Sequence, residues 1–168
     1  IEYMKSITTG GGTDIAEPLT RAINMIKDDI ELVLQDDDEQ KNKFFVNQII
    51  FITDGEANNT KEILLNVNKL NDLSGIDKSN KKISIFAFGV GQDGNDSGWI
   101  KDVNHSFLKS LAVNNNGFYK RIKQTNTETK LKEYFNILSK PILTNIKIDY
   151  NNKNIKDLTN THFDTLYD

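Results

Sequence analysis

The sequence predicts an α/β fold with a doubly wound, mostly parallel sheet. Two observations lead to this prediction. Apolar runs of strand length, at residues 49–52 and 83–91, end in turns that contain glycine. Segments whose apolar residues recur at helical spacing lie before, between and after these runs. Strands that alternate with helices are typical of a parallel sheet covered by helices on both faces.

The sequence of the amino-terminal part predicts one helix before and one helix after a glycine-rich loop. Residues 1–7 have the pattern of the last turns of a helix, and the glycines at 10–12 end it. Asp14 and Glu17 have the spacing of a capping box, which predicts a second helix. Its apolar face consists of Ile15, Leu19, Ala22, Ile23 and Ile26. We interpret residues 28–43 as an exposed helix end and a loop.

The run at residues 49–52 is the central strand of the prediction. Its β-branched, uninterrupted apolar sequence predicts burial on both faces. It ends in Thr53-Asp54-Gly55, which is a turn signal. A helix is predicted from about Thr60, with a buried stripe of Ile63, Leu64, Val67 and Leu70.

The following segments repeat the alternation. Residues 83–91 predict a second buried strand, and 118–122 a short third one. Between them, Ser106 is predicted to cap a helix that is ended by Asn114-Asn115-Asn116-Gly117. Thr125 and Glu128 have capping-box spacing and predict a last helix. Its predicted inward side chains are Leu131, Tyr134, Phe135 and Leu138.

The pattern changes at Pro141. Ile146, Ile148 and Tyr150 alternate with polar residues, as in a strand with one face in water. We therefore predict a partial α/β domain at residues 1–140. Residues 141–168 are predicted to be a linker and the first strand of a following β-rich domain.

Composition narrows the classes of function. The 168 residues suit one domain or one domain with the start of another, and 37% are hydrophobic. A net charge of -3 gives no electrostatic reason to expect binding to nucleic acid. No apolar run is long enough to span a membrane. The absence of cysteine excludes disulfides, thiol catalysis and cysteine-ligated zinc. Because the chain begins at Ile1 rather than at Met, we interpret it as a piece of a longer protein.

Two oxygen-bearing side chains form the candidate metal site. Asp54 follows the central strand, and parallel sheets bind ligands at the carboxyl ends of their strands. Thr13 stands at the end of the glycine-rich loop, where a second helix begins. A neutral hydroxyl and a carboxylate suit Mg²⁺ or Mn²⁺ better than zinc, which prefers nitrogen and sulfur. The alternative for the loop alone is a flexible connection with a helix cap.

Three other patterns are interpreted as structural. Residues 89–94 match G-x-G-x-x-G, but the next helical stripe begins only near Phe107, so a glycine-rich strand exit is predicted rather than a dinucleotide site. Asp72 begins a sequence similar to a metal motif, but it follows a helix and not a buried strand. His105 and His162 lack the paired spacing of a zinc site, and we predict that both lie at the surface or have satisfied hydrogen bonds.

The order of these motifs resembles a known family. Gly-Gly-Thr-Asp-Ile at 11–15, Ile-Ile-Phe-Ile-Thr-Asp-Gly-Glu at 49–56 and Phe-Gly-Val-Gly at 88–91 resemble a von Willebrand factor type A domain. More narrowly, Phe-Leu-Lys-Ser-Leu-Ala at 107–112 with Asn116-Gly117, and the sequence from Pro141 to Ile146, look like inter-alpha-trypsin inhibitor heavy chains. Residues 161–167 resemble the segment that follows the domain in that family.

The resemblance implies a metal-ion-dependent adhesion site. In such sites an Asp-x-Ser-x-Ser segment, a Thr and a later Asp surround Mg²⁺, and Thr13 and Asp54 match the last two positions. The Asp-x-Ser-x-Ser segment and the first strands of such a domain are absent from the chain, so we expect it to bind Mg²⁺ (or Mn²⁺ or Ca²⁺) weakly by itself. The resemblance also implies a secreted, extracellular binding module without catalytic residues. Its implied partner is a protein or matrix ligand with an acidic group, such as hyaluronan.

Two other functions remain open at this stage. Within the binding class, the alternative is the domain of a calcium-channel alpha-2/delta-like subunit, although the segment after Pro141 favours the heavy chains. The alternative from a different class is a Mg²⁺-dependent phosphate-handling enzyme in which Asp54 is the nucleophile or a metal ligand. Such an enzyme needs a general acid or base near Asp54, and Glu56 is the nearest candidate in sequence.

Overall fold

A computed structural model describes residues 14–35, 46–53, 58–76, 82–91, 103–147 and 162–167 of the chain. The helices in these ranges are α1 (Ala16–Gln35), α2 (Thr60–Leu70), α3 (His105–Val113) and α4 (Thr127–Leu138). The strands are β1 (Gln48–Thr53), β2 (Ser84–Gly91), β3 (Tyr119–Lys123), β4 (Pro141–Lys147) and β5 (His162–Tyr167). A short 3-10 turn, Gln124–Asn126, leads from β3 into α4.

The first three strands form a parallel sheet in the order β1-β2-β3. Ile49 of β1 is in register with Ile85 of β2, and Thr53 with Gly89. Gly91 of β2 is in register with Lys123 of β3. Helices α2, α3 and α4 follow the three strands in turn, so each parallel step crosses over through a helix. The predicted α/β class with a parallel sheet is confirmed.

The side chains of β2 alternate between two hydrophobic clusters on opposite faces of the sheet. Ile85 and Ala87 belong to the cluster that includes buried residues of α1, α2 and α3. Phe86 and Phe88 belong to a second cluster, with Ile122 of β3 and Leu138 of α4. Every residue of β2 from Ser84 to Gly89 is buried, as predicted for a strand covered on both faces.

Strand β1 differs from its prediction. The run was predicted to be buried on both faces, but of its side chains only Ile49 is fully buried, and Ile52 is 42% exposed. The reason is its position, because within the described sheet β1 pairs only with β2 and forms an edge. Phe51 and Ile50 are partly buried on opposite faces, in the two clusters.

Helix α1 begins and packs as its sequence predicts. Asp14 Oδ1 accepts hydrogen bonds from the backbone nitrogens of Ala16, at 3.0 Å, and Glu17, at 3.2 Å. The helix continues to Gln35, and Ile30 extends its buried face into the segment interpreted as a helix end. The other fully buried residues of this face are Ile15, Leu19 and Ile23.

The predicted starts of the last two helices are wrong in detail. Asn104, not Ser106, caps α3, because its side-chain oxygen accepts the backbone N–H of Phe107 at 3.0 Å. Asparagine and serine cap equally well, so spacing alone selected the wrong residue. Thr125 lies in the 3-10 turn, and the N-cap position of α4 is Asn126, which makes no side-chain capping bond. Phe135, predicted to face inward, is 46% exposed.

Two buried asparagines join α2, β2 and α3 at the amino end of the sheet. Asn71 donates to the backbone oxygen of Ile83 and accepts from its backbone nitrogen, both at 2.8 Å. Asn71 also donates to Asn115 Oδ1 at 2.8 Å, and Asn115 donates to the backbone oxygen of Leu111 at 2.7 Å. Asn71 and Leu73 are completely buried, although they belong to a segment of mostly polar sequence.

Strands β4 and β5 form a separate two-stranded antiparallel sheet, in which Ile146 is in register with Phe163. Strand β4 starts at Pro141, where the sequence pattern changes. The proposed division into domains at residues 140 and 141 stays a prediction. Ile148, Tyr150 and the predicted helix at residues 1–7 lie outside the described residues.

Candidate functional site

The two predicted metal ligands, Thr13 and Asp54, lie outside the described residues. The structure describes the residue beside each of them, Asp14 and Thr53. The distance between the two ligand side chains therefore stays a prediction. Asp14 and Thr53 show how the chain is held on one side of each predicted ligand.

Asp14 follows Thr13, and its carboxylate is used in the helix start. Its Oδ1 accepts two backbone N–H groups of the first turn of α1, and the residue is exposed. These bonds satisfy two of the donors that a helix leaves unpaired at its amino end. Thr13 therefore directly precedes, in the sequence, the residue that caps this helix, and its role as a metal ligand stays a prediction.

Thr53 precedes Asp54 and is the last residue of β1. It is in register with Gly89 of β2, two residues before that strand ends, and Asp54 is the next residue in the sequence. On the other side of the loop, Asn59 has the left-handed backbone conformation, with φ 56°, just before α2. The backbone oxygen of Asn59 accepts the N–H of Ile63 at 3.1 Å and thereby fixes the first turn of α2.

The neighbouring strand β2 is closely packed at Gly89, two residues before its end. A Cβ added at Gly89 would lie 2.9 Å from the Tyr119 hydroxyl oxygen and 2.9 Å from Val103 Cγ1. Such distances are too short for carbon, so this position excludes a side chain. The glycine allows close packing between β2, β3 and α3. The rest of the G-x-G-x-x-G string, from Gln92, lies outside the described residues.

His105 and Tyr119 form a polar pair on this side of the sheet. His105 Nδ1 is hydrogen-bonded to the Tyr119 hydroxyl, and the ring centroids are 5.8 Å apart. Both residues are half-buried. The bond to Tyr119 satisfies one ring nitrogen of His105, Nδ1, and nothing is described of the side chain of His162. The pairing with Tyr119 was not predicted. Gly89, whose missing side chain leaves room for the tyrosine, is the residue in the sequence that could have indicated it.

The acidic side chains of the described residues do not form a cluster that could hold a metal ion. No group of three or more His, Cys, Asp or Glu side chains suited to a metal occurs among the residues that the structure describes. On β3, Arg121 and Lys123 are exposed and are in register with Gly89 and Gly91. β3 is two strands away from β1 in the sheet order, so the described end of β3 carries positive charge at some distance from the end of β1.

The sequence at Asp72 that is similar to a metal motif is a turn. Asp72 Oδ1 accepts the backbone N–H of Ser74 at 3.0 Å. This bond is the main reason that the pKa of Asp72 lies below its ordinary value. Asp72 follows Asn71, which bonds to Ile83 just before β2, so the turn lies at the amino end of the sheet, away from the candidate site. The interpretation of this sequence as structural is confirmed.

Curated proteins with sequences similar to this chain are inter-alpha-trypsin inhibitor heavy chains. Human inter-alpha-trypsin inhibitor heavy chain H2 is 31% identical over 162 residues, which are 96% of this chain and 15% of that protein. The chain is related to the inter-alpha-trypsin inhibitor heavy chains. The pig heavy chain H2 is 31% identical over 167 residues, and human heavy chain H3 is 25% identical over 169 residues, 99% of this chain. The predicted resemblance to these heavy chains is confirmed.

The relation covers only part of each heavy chain. This chain spans 15% of the length of human H2 and 17% of human H3. No family model matches the sequence. The conserved hypothetical protein BatB from Bacteroides thetaiotaomicron is a distant structural neighbour, with a TM-score of 0.43 and 18% identity over 79% of this chain and 64% of BatB. Among the helices that the structure describes, none is long and apolar enough to cross a membrane.

Proposed function

We propose that this chain is part of a metal-dependent extracellular binding module in which Thr13 and Asp54 hold a Mg²⁺ ion. The observation that carries the proposal is the position of Thr53, the residue before Asp54 in the sequence. The last described residue of strand β1 is Thr53, in register with Gly89 of the parallel strand β2. Asp54 follows it in sequence, so we expect Asp54 at the carboxyl end of the sheet. This is the end at which α/β sheets bind their ligands.

The chemistry of the two donors fits a hard cation. A threonine hydroxyl and an aspartate carboxylate are oxygen ligands of the kind that Mg²⁺ accepts, and Mn²⁺ or Ca²⁺ accept the same donors. The capping bonds of Asp14 support the position of Thr13 directly before a fixed helix start. We expect the side chains of Thr13 and Asp54 to lie within about 10 Å of each other, the span of a shared or water-bridged shell.

Two protein oxygens are too few for tight Mg²⁺ binding. Mg²⁺ requires near-octahedral coordination and usually keeps several waters. The remaining ligands come from water, from an acidic group of the partner and, by the family resemblance, from an Asp-x-Ser-x-Ser segment outside this sequence. The bound cation supplies the attraction for the partner's acidic group, and Asp54 acts as a ligand and not as a nucleophile.

The relatives support a binding role. They are named as heavy chains of an inhibitor, which favours protein association over catalysis. We propose that the parent protein is secreted, is not an enzyme, and binds an extracellular protein or matrix ligand that presents carboxylates. Hyaluronan, which carries one carboxylate per disaccharide, is the matrix ligand to test first.

Capture of hyaluronan by the intact parent protein tests this proposal. Immobilised hyaluronan is incubated with the wild type and with Asp54→Ala, in Mg²⁺ and in EDTA. We expect binding by the wild type in Mg²⁺ and its loss both in EDTA and in the variant. Asp72→Ala is the matched control, because it removes an exposed carboxylate from the turn at the amino end of the sheet. Capture that is equal in Mg²⁺ and EDTA contradicts the proposal.

A further inference from the structure

The turn between α3 and β3 contains Asn116-Gly117, the only Asn-Gly pair in the 168 residues. We infer that Asn116 is a deamidation site whose reaction the folded turn blocks and local opening permits. Asparagine belongs to the thermolabile residues, and a following glycine places no Cβ beside the reacting groups.

The reaction needs only water and the chain itself. The backbone nitrogen of Gly117 loses its proton and attacks Cγ of Asn116, forming a new C–N bond. The side-chain amide nitrogen leaves as ammonia, and a five-membered succinimide remains. Water then opens the ring at one of its two carbonyl groups, which gives either aspartate or isoaspartate at position 116. No oxidant or cofactor is required.

The folded turn holds the attacking nitrogen in a hydrogen bond. The N–H of Gly117 donates to the backbone oxygen of Ala112 at 2.9 Å. Asn116 is exposed and has a left-handed backbone conformation, with φ 54°. Ring closure must turn the Gly117 nitrogen toward Asn116 Cγ and break its bond to Ala112. Exposure of the side chain is therefore insufficient for reaction while this bond persists.

The residues on both sides of Asn116 are fixed to the sheet. Asn115 is completely buried, and its backbone oxygen accepts the N–H of Ile85 of β2 at 2.9 Å. On the other side, a Cβ added at Gly117 would clash with the backbone oxygen of Ile85. The turn thus opens only when its contacts with β2 break, which couples the reaction to local unfolding.

The two products have different consequences. Isoaspartate routes the main chain through the former side chain and adds a methylene between Asn115 and Gly117. The close approach of Gly117 to Ile85 leaves no room for this extra length. Aspartate keeps the length of the main chain. We expect isoaspartate at position 116 to prevent return to the folded turn, and aspartate to allow it.

Peptide mass spectrometry measures the reaction. The 168-residue chain is incubated at mildly alkaline pH in buffer and in a urea concentration that unfolds it, and the converted fraction at Asn116 is followed with time. We expect conversion in buffer to be at least about tenfold slower, because only opened molecules react. Equal rates in the folded and unfolded chain would overturn the inference.

A variant that loosens the turn provides the second arm. Asn71→Ala removes the side-chain bond to Asn115 and should accelerate conversion of Asn116 in buffer, while the rate in urea stays unchanged. Asn136→Ala, on the exposed surface of α4, is the matched control and should leave both rates unchanged. A folded Asn71→Ala variant with the wild-type rate in buffer contradicts the inference. If that variant does not fold, the conversion rate of Asn116 in the wild type is measured at increasing urea concentrations. We expect this rate to rise across the unfolding transition. A rate that does not change with urea contradicts the inference.

Discussion

Asn71 and Asn115 are both completely buried and are joined by a hydrogen bond of 2.8 Å between their side-chain amides. Through Asn71 this pair also binds the backbone of Ile83 in both directions. Buried polar groups stabilise a fold only when their hydrogen bonds are satisfied. The pair therefore fixes the ends of α2 and α3 against the start of β2.

Asn71→Ala is expected to destabilise the fold by about 3 kcal/mol, because it leaves the buried N–H of Ile83 without its acceptor. Urea unfolding measures the free energy of unfolding. Asn66→Ala, on the exposed side of α2, is the control and should change it by less than about 0.5 kcal/mol. Equal effects of the two substitutions would show that the buried amide pair does not stabilise the fold.

Gly117→Ala is expected to cost about 3 kcal/mol or more, because the new Cβ clashes with the backbone oxygen of Ile85 in β2. The matched control is Gly75→Ala, where no atom lies within 4 Å of the added carbon. Urea unfolding of both variants measures the difference. A Gly117→Ala variant as stable as Gly75→Ala would mean that the turn does not approach β2 closely.

Asp14→Ala is expected to lower the free energy of unfolding by about 1 kcal/mol, the usual cost of losing a helix cap. Asp14→Asn keeps the side-chain oxygen that accepts the two N–H groups, and should retain most of the stability. Thermal unfolding of the three proteins under the same conditions provides the comparison. If both variants lost the same free energy of unfolding, the effect would come from the charge of Asp14 and not from its capping hydrogen bonds.

The lowered pKa of Asp72 predicts a small dependence of the free energy of unfolding on pH. The hydrogen bond from Ser74 lowers the pKa of Asp72 in the folded chain. A lowered pKa adds stability above the unfolded-state pKa, and this contribution is lost as the pH falls through the folded-state pKa. Asp72→Asn does not titrate, so its stability should fall less on acidification. The measurement is the urea midpoint of both proteins at neutral and acidic pH, and identical acid sensitivity would contradict the prediction.

Periodicity predicted the elements whose packing is regular. The stripe of α1 and the alternating faces of β2 follow directly from spacing, because a helix or strand exposes successive residues in a fixed order. Such spacing carries no information about neighbours in the sheet. The edge position of β1, which leaves Ile52 exposed, depends on which strands pair with it, and the apolar run alone does not contain that information.

Polar contacts were less predictable than the elements. Asn71 stands in a polar segment like those at the surface, and only the approach of Ile83 and Asn115 from distant parts of the chain gives it a buried role. The pairing of His105 with Tyr119 likewise depends on the space above Gly89. At the candidate site, motif order predicted Thr13 and Asp54, and both stay predictions because they lie outside the described residues.

Calorimetric titration with Mg²⁺ tests the central claim most directly. The intact parent protein is compared with its Asp54→Ala and Asp72→Ala variants, after circular dichroism has shown that all three are folded. The account predicts a saturable Mg²⁺ site in the wild type and in Asp72→Ala, and its loss in Asp54→Ala, because only Asp54 supplies a metal ligand. Undiminished Mg²⁺ binding by folded Asp54→Ala would contradict the account.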